Sequence, residues 1–221
     1  MADPQAESLH ALLAALHAER ERSWAPEDLQ VNIEQRRRLV AEAAGRRFPQ
    51  PGDRLEAAEL IDVERGPFTL KGPAVLVFFR FAGCPACNIA LPYYGRQLAP
   101  ALRAFGVPLI AISPQIPERL HEIRERHALD FTVASDPDNA FGRSLGILYS
   151  YDEASRQASQ RKGRPIGEVT GTGTWELPMP AAIVVDADRI VHFAEVSPDW
   201  LVRTEATPLI DAVRALLPAA A

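Results

Sequence analysis

The sequence predicts an α/β protein: a three-layer sandwich around a mixed central sheet, preceded by a helical arm. Three observations carry this prediction. Ala74–Arg80 (AVLVFFR) is continuously apolar, as a strand buried on both faces would be. Strand and helix patterns alternate from there to about residue 147. Ala181–Val196 (AAIVVDADRIVHFAEV) then reads as an antiparallel hairpin, followed by a closing helix.

Each element follows from local chemistry. Asp3 and Pro4 are placed to start a helix whose Leu9, Leu12, Leu13 and Leu16 recur at helical spacing. Pro26, Glu27 and Asp28 suit a second start, with Leu29, Ile33 and Val40 as its apolar face. The basic triplet in EQRRRL reads as a solvated face of that helix in preference to an anion patch. RRFPQPGDR breaks the pattern, so the helical extension is assigned to residues 1–48 and the main domain to 49–221. Phe68–Leu70 predicts a strand, and Pro85 to about Phe105 a helix with Ile89, Leu98, Leu102 and Phe105 facing the core. Val107–Ser113 is a second apolar strand, IPERLHEIRERHAL a helix, DFTVASD a short strand and PDNAFGRSLGI a short helix. Ser150–Gly173 has little periodicity and reads as a loop with modest helix content. Asp186-Ala187-Asp188 turns the hairpin, and Thr207-Pro208 opens a last helix bearing Leu209, Val213, Leu216 and Leu217. His192 lies in an apolar strand and is expected in the core; Trp24 and Trp200 are expected to serve packing.

Composition narrows the function. With 221 residues, 47% of them hydrophobic, the chain can bury a core without disulfide staples. A net charge of −5 argues against general nucleic-acid affinity, and no apolar run reaches a membrane span. MADPQAESLH has acids where a secretory leader carries basic and apolar residues, so the expectation is a soluble, cytoplasmic protein. Abundant Ala and a strong preference for Arg over Lys match the usage of a high-GC bacterial genome.

The two cysteines of the chain form Cys84-Pro85-Ala86-Cys87, just after the buried strand and at the first turn of a helix. Free N–H groups and the helix dipole stabilise a thiolate there. Pro85 fits the first turn, where a missing N–H costs nothing. Cys87 lies one turn on, within reach of a small disulfide ring, with Cys84 expected to be the more exposed sulfur. Structural disulfides are rare in cytoplasm, which points the pair toward redox chemistry or a metal site, with two inert core thiols that happen to lie close as the remaining alternative. A zinc site would need His10, His17, His121, His127 or His192, none at ligand spacing with another. No flavin, haem or nucleotide motif is present, and no cofactor is expected.

The order of elements and the CxxC position resemble the thioredoxin fold. PGDRLEAAELIDVERGPFTLKGPAVLVFFRFAGCPACN, GVPLIAISPQ, ASDPDNAFGRSLGI and WELPMPAAIVVDADRIVHFAEV together resemble the peroxiredoxin-like branch of the alkyl hydroperoxide reductase/thiol-specific antioxidant family, over about residues 49–217. The resemblance implies a thioredoxin-like three-layer sandwich, reduction of peroxides or disulfides by cysteine thiolates, and recycling by a thiol donor, either a thioredoxin-type protein or a low-molecular-weight thiol. It also implies a homodimer. The chain departs from the family at several points. Aligned on its last Cys, the Pro-x-x-x-Thr-x-x-Cys motif meets Arg80, Cys84 and Cys87, so the Pro and Thr are absent. Where a peroxiredoxin places an Arg beside the thiolate, this chain reads Met179-Pro180-Ala181, similar to the cis-proline loop of thioredoxins. Against thioredoxin, Gly83 replaces a Trp and Phe78 replaces the buried acid.

Three functions remain open: a hydroperoxide reductase, a thiol–disulfide oxidoreductase, and a redox-sensing binding module without turnover. The candidate catalytic residues are Cys84, Cys87 and Arg80, the last steadying the thiolate or polarising a peroxide. Helix-start geometry favours Cys84 as the attacking sulfur, and the peroxiredoxin alignment favours Cys87; Cys84 is preferred. Met179, Pro180 and Trp175 are the candidate substrate-binding residues, with a cis Met179–Pro180 bond expected.

Overall fold

The protein is described by a computed structural model covering residues 7–217. Nine strands and nine α-helices are present among these residues. The central sheet holds β1 (Glu59–Asp62), β2 (Gly66–Thr69), β3 (Ala74–Phe78), β4 (Leu109–Ser113), β5 (Thr132–Ser135), β8 (Ala181–Val185) and β9 (Val191–Val196), in the order β2-β1-β5-β4-β3-β8-β9. β6 (Leu148–Ser150) and β7 (Glu176–Pro178) form a separate pair. β4 runs parallel to β3 and β5, and the other pairings are antiparallel, so the sheet is mixed as expected.

β3 shows why its sequence is apolar throughout. Successive side chains point to opposite faces. Val75 and Val77 enter the core that contains both cysteines, while Ala74, Leu76 and Phe78 enter the core on the other side. The cysteine-bearing face is covered by α1 (Leu9–Ser23), α3 (Pro85–Gln97), α4 (Ala99–Ala104), α5 (Pro117–Arg126) and α9 (Ala206–Leu216), whose Leu9, Leu91, Leu102, Leu120 and Leu209 are all buried there. The opposite core includes Phe141 of α6 (Ala140–Ser144).

The expected helix from Pro85 to Phe105 is two helices, because Pro100 near the start of α4 has no N–H to donate and its ring crowds the preceding turn. The β1–β2 hairpin was not anticipated beyond Phe68–Leu70. Ser150–Gly173 is more helical than expected: α7 (Glu153–Arg161) starts at Asp152, which accepts from Ser155 N–H (2.7 Å), and α8 (Ile166–Thr170) ends at Gly171 with φ +78°. The expected start at Asp3-Pro4 lies outside the described residues; Ser8 caps α1, accepting from Ala11 N–H at 3.2 Å.

The arm packs on its own domain. Leu9 and Leu13 of α1 and Leu39 of α2 (Pro26–Ala43) join the core around the thiols. The buried stripe of α2 is Gln35, Leu39 and Ala43, one helical turn apart, which leaves Val40 half exposed on the adjoining side. The basic triplet is not simply solvated. Arg36 pairs with Asp199 (3.0 Å) and Arg38 with Asp152 (2.9 Å), while Arg37 is exposed. His192 is also exposed, not in the core, because it points off the outer edge strand β9 and bonds Asp186 at 2.9 Å. No helix among the described residues is long and apolar enough to cross a membrane.

Candidate active site

Cys84 is the N-cap of α3, with Pro85 in the first turn. Its carbonyl accepts from the Cys87 and Asn88 amides, both at 3.0 Å, which sets the two sulfurs on consecutive faces of one turn. The loop before it is fixed from several sides. Gln115 Oε1 accepts from Ala82 N–H (2.7 Å), and Ser113 Oγ donates to the Arg80 carbonyl (3.0 Å). Asn88 Nδ2 donates to the Ala82 carbonyl (2.7 Å) and the Cys84 carbonyl (2.9 Å).

Each sulfur has its own guanidinium. Arg80 Nη1 lies 3.8 Å from Cys84 Sγ, and Arg203 Nη2 lies 3.7 Å from Cys87 Sγ. Arg80 is buried among aromatic rings: its Cζ stands 4.5 Å from the centroid of Trp200, and it donates to Tyr151 Oη. Arg203 is held by Nε donating to the Trp200 carbonyl (3.1 Å). A hydrogen bond from the Cys87 thiol, with the Arg80 and Arg203 cations, outweighs burial and holds the Cys84 thiol well below its ordinary range. Burial and the neighbouring Cys84 push the Cys87 thiol well above its own. The two shifts are opposite in direction and favour Cys84 as the thiolate and Cys87 as the thiol that donates to it.

Both cysteines are buried, Cys84 at 1% and Cys87 at 0% exposure, so the expected difference in exposure is absent. What separates them is the space on each side. A cavity of about 280 Å³ lies against the Cys84 loop, lined there by Arg80, Phe81, Gly83 and Pro85. On the Cys87 side, the space beside Arg203, Tyr94 and Pro180 is only about 10 Å³. The large cavity is completed by the arm, through Arg20, Trp24 and Gln35, and by Ile166 and Val169 of α8.

The structure thus brings Arg80, Cys84 and Cys87 together but leaves the other candidates aside. Met179 and Pro180 are buried and do not line this cavity. The Met179–Pro180 bond is trans, not cis: Met179 N–H donates to the Ile147 carbonyl (2.8 Å) and the Pro180 carbonyl accepts from Ser197 N–H (2.7 Å), drawing the chain straight from β7 into β8. Trp175 stands one layer back, its ring 6.0 Å from that of Tyr151, which does line the cavity. Four residues that sequence reasoning left out belong to the site: Arg203, Arg20, Trp24 and Trp200. Trp24 and Trp200 do pack, but as cavity walls. Nothing local marks Arg203; its signal is an Arg following a Trp in a turn that only the fold brings to the CxxC.

Residues 51–194, more than half of the chain, match the model of the AhpC/TSA family. No curated protein matches the chain in sequence. Among solved structures, the peroxidoxin BcpB from Mycobacterium tuberculosis is similar with a TM-score of 0.59 at 20% identity, covering 77% of this chain and 99% of that one. A peroxiredoxin-like protein from Aquifex aeolicus has a TM-score of 0.60 at 15% identity, covering 78% and 90%. Reduced Prx3 from Vibrio vulnificus in complex with hydrogen peroxide has a TM-score of 0.58 at 20% identity, covering 74% and 98%. These likenesses show the thioredoxin-like fold of peroxiredoxins, and the family match carries the assignment. The chain belongs to the AhpC/TSA family of cysteine-based thiol peroxidases.

Proposed function

We propose that the protein reduces hydroperoxides through Cys84, with Cys87 as the resolving thiol and an external thiol donor closing the cycle. The observation that carries this reading is the placement of Cys84: a thiolate-favouring sulfur at a helix N-terminus, 3.8 Å from Arg80, beside the larger cavity. The thiolate attacks the distal oxygen of the hydroperoxide. A sulfur–oxygen bond forms, the O–O bond breaks, and the alkoxide leaves as an alcohol after taking a proton, for which the Cys87 thiol is the nearest donor. Arg80 stabilises the thiolate and the charge passing to the leaving oxygen. Cys87, now a thiolate, then attacks the sulfenic sulfur and expels hydroxide, which takes a proton from solvent to leave as water, and the Cys84–Cys87 disulfide forms. Two thiols of the donor reduce it by exchange. The arm (residues 1–48) and the domain from residue 49 act together here, since both wall the cavity. A cytoplasmic setting, which keeps thiols reduced, suits a free cysteine pair.

The full burial of Met179 and Pro180 gives a docked protein disulfide no edge beside the thiols, which favours peroxide over disulfide as substrate. Stopped-flow oxidation of the reduced protein by hydrogen peroxide tests the reading. Wild type and Cys87→Ser should react far faster than a free thiol, with Cys87→Ser halting at a sulfenic acid that dimedone traps. Cys84→Ser should lose the fast phase. Oxidation of wild type at the rate of a free thiol would end the peroxidase assignment.

A further inference from the structure

The cavity beside Cys84 carries more polar machinery than a thiolate needs. Five of its lining residues have a buried polar atom with no hydrogen-bond partner: Arg20 Nη1, Asn32 Oδ1, Gln35 Nε2, Arg80 Nε and Ser155 Oγ. A buried polar atom without a partner is costly, so the wall of this one cavity is short of hydrogen-bond partners. Three of the five atoms are donors on residues almost wholly buried: Arg20 at 3%, Gln35 at 4% and Arg80 at 5% exposure.

The charge is one-sided. Arg20, Arg80, Lys162 and Arg164 line the cavity. Its single acid, Asp28, is already taken by Lys162 (3.0 Å) and Arg161 (3.7 Å). The walls are aromatic, from Trp24, Phe81, Tyr151 and Trp200. Two guanidiniums share one indole: Arg80 Cζ stands 4.5 Å and Arg20 Cζ 5.4 Å from the Trp200 ring centroid. Arg80 serves Cys84, which leaves Arg20 as the buried cation for a ligand.

We infer that this cavity is a carboxylate subsite, and that the preferred hydroperoxide is a compact organic acid with its carboxylate on Arg20 and Gln35 and its O–O group at Cys84. A single available buried cation fits a monoanion. Arg20 and the guanidinium that serves Cys84 both stand against the Trp200 ring and line one cavity of about 280 Å³, which favours a compact acid over a long flexible chain. The carboxylate is a spectator: the bonds made and broken are those of the peroxide step above. This inference rests on that peroxidase reading for its substrate but not for its binding site.

Three peroxides separate the possibilities: hydrogen peroxide, cumene hydroperoxide, and cumene hydroperoxide bearing a para-carboxylate. Reduced wild type should be oxidised by the carboxylate about tenfold or more faster than by the neutral arene. Arg20→Met should bring that ratio close to one, and Arg37→Gln, on the exposed side of α2, should leave it unchanged. Equal rates for the two arenes in wild type, with hydrogen peroxide active, overturn the inference and spare the peroxidase reading. If no peroxide reacts, the peroxidase reading falls, and calorimetric titration with unreactive 4-isopropylbenzoate decides the subsite alone. Saturable binding to wild type that weakens about tenfold in Arg20→Met supports it; absence of binding to wild type overturns it.

Discussion

Replacing Glu205 by Ala tests whether one carboxylate fastens the arm over the thiols. Glu205 accepts hydrogen bonds from Ser8 Oγ (2.9 Å), Leu9 N–H (3.1 Å), His10 N–H (3.0 Å) and Tyr93 Oη (2.5 Å). The two amides belong to the first turn of α1, where they have no partner within the helix, so the carboxylate caps α1 from the far end of the chain. Losing such a cap costs about 1 kcal/mol, and the bond from Tyr93 to a charged, partly exposed acceptor adds about 1 kcal/mol more. Tyr93 Oη keeps its bond from Ala206 N–H (3.1 Å), which limits its share. With the helix-dipole contribution the sum is about 2–3 kcal/mol. Glu205→Ala should then lower the urea midpoint by about 1 M if arm and domain unfold together. Alkylation of reduced Cys84 by iodoacetamide and hydrogen exchange in α1 should also quicken, because the arm walls the cavity. Burial raises the Glu205 carboxyl, but bonds from His10, Tyr93, Leu9 and Ser8 outweigh it and hold it below its usual range. With the folded value below the unfolded one, the stabilisation is complete above about pH 4.3 and is lost as pH falls through the folded value. Wild type and Glu205→Ala should therefore converge in stability in acid. An unchanged midpoint together with unchanged alkylation would refute the reasoning.

Arg80→Met keeps apolar volume but removes the cation 3.8 Å from Cys84 Sγ. Unit charges at about 4 Å interact by about 4 kcal/mol at an effective dielectric constant near 20, so alkylation at pH 7 should slow by about tenfold or more. Because the cation favours the thiolate, its loss raises the thiol's pKa and moves the alkylation profile to higher pH; an unmoved profile would exclude the role given to Arg80. Arg203→Met, which removes the cation 3.7 Å from Cys87 Sγ, should act chiefly on the second step. Burial raises the Cys87 thiol and Arg203 is the cation that lowers it, so disulfide closure should slow and the Cys84 sulfenic acid should persist. Dimedone labelling that stays at the wild-type level would remove that assignment.

The fold was legible wherever burial on two faces left a simple pattern. β3, β4 and β8 are such cases, with β9 legible as the hairpin partner of β8, and the CxxC at a helix start announced its own chemistry. β1–β2 was largely missed because its residues are short and half exposed, with Glu59, Asp62 and Pro67 diluting the strand signal. Ser150–Gly173 hid two helices because α7 draws on an Asp cap and on packing against α2, and α8, five residues long, is too short to show a period. The chemistry around the thiols was only half legible. Arg80 lies four residues from Cys84 and could be nominated, whereas Arg203 is 116 residues from Cys87, and Arg20 reaches the cavity from an arm that shows no motif. The Met179-Pro180 pair misled because a short sequence match does not say which ladder the surrounding backbone will join.

The Glu205 cap also dictates an order of events during synthesis. The arm leaves the ribosome more than 150 residues ahead of its docking partners: Glu205 for Ser8, Leu9 and His10, Trp200 for Gln35, and Asp199 for Arg36. Until residues 199–205 have emerged, α1 has no acceptor from Glu205 for its first amides and the cysteine face lacks the cover that α1 and α9 provide. The nascent chain thus passes through a stage in which both thiols are open to any oxidant or electrophile, and the finished protein is the form that chooses what reaches them.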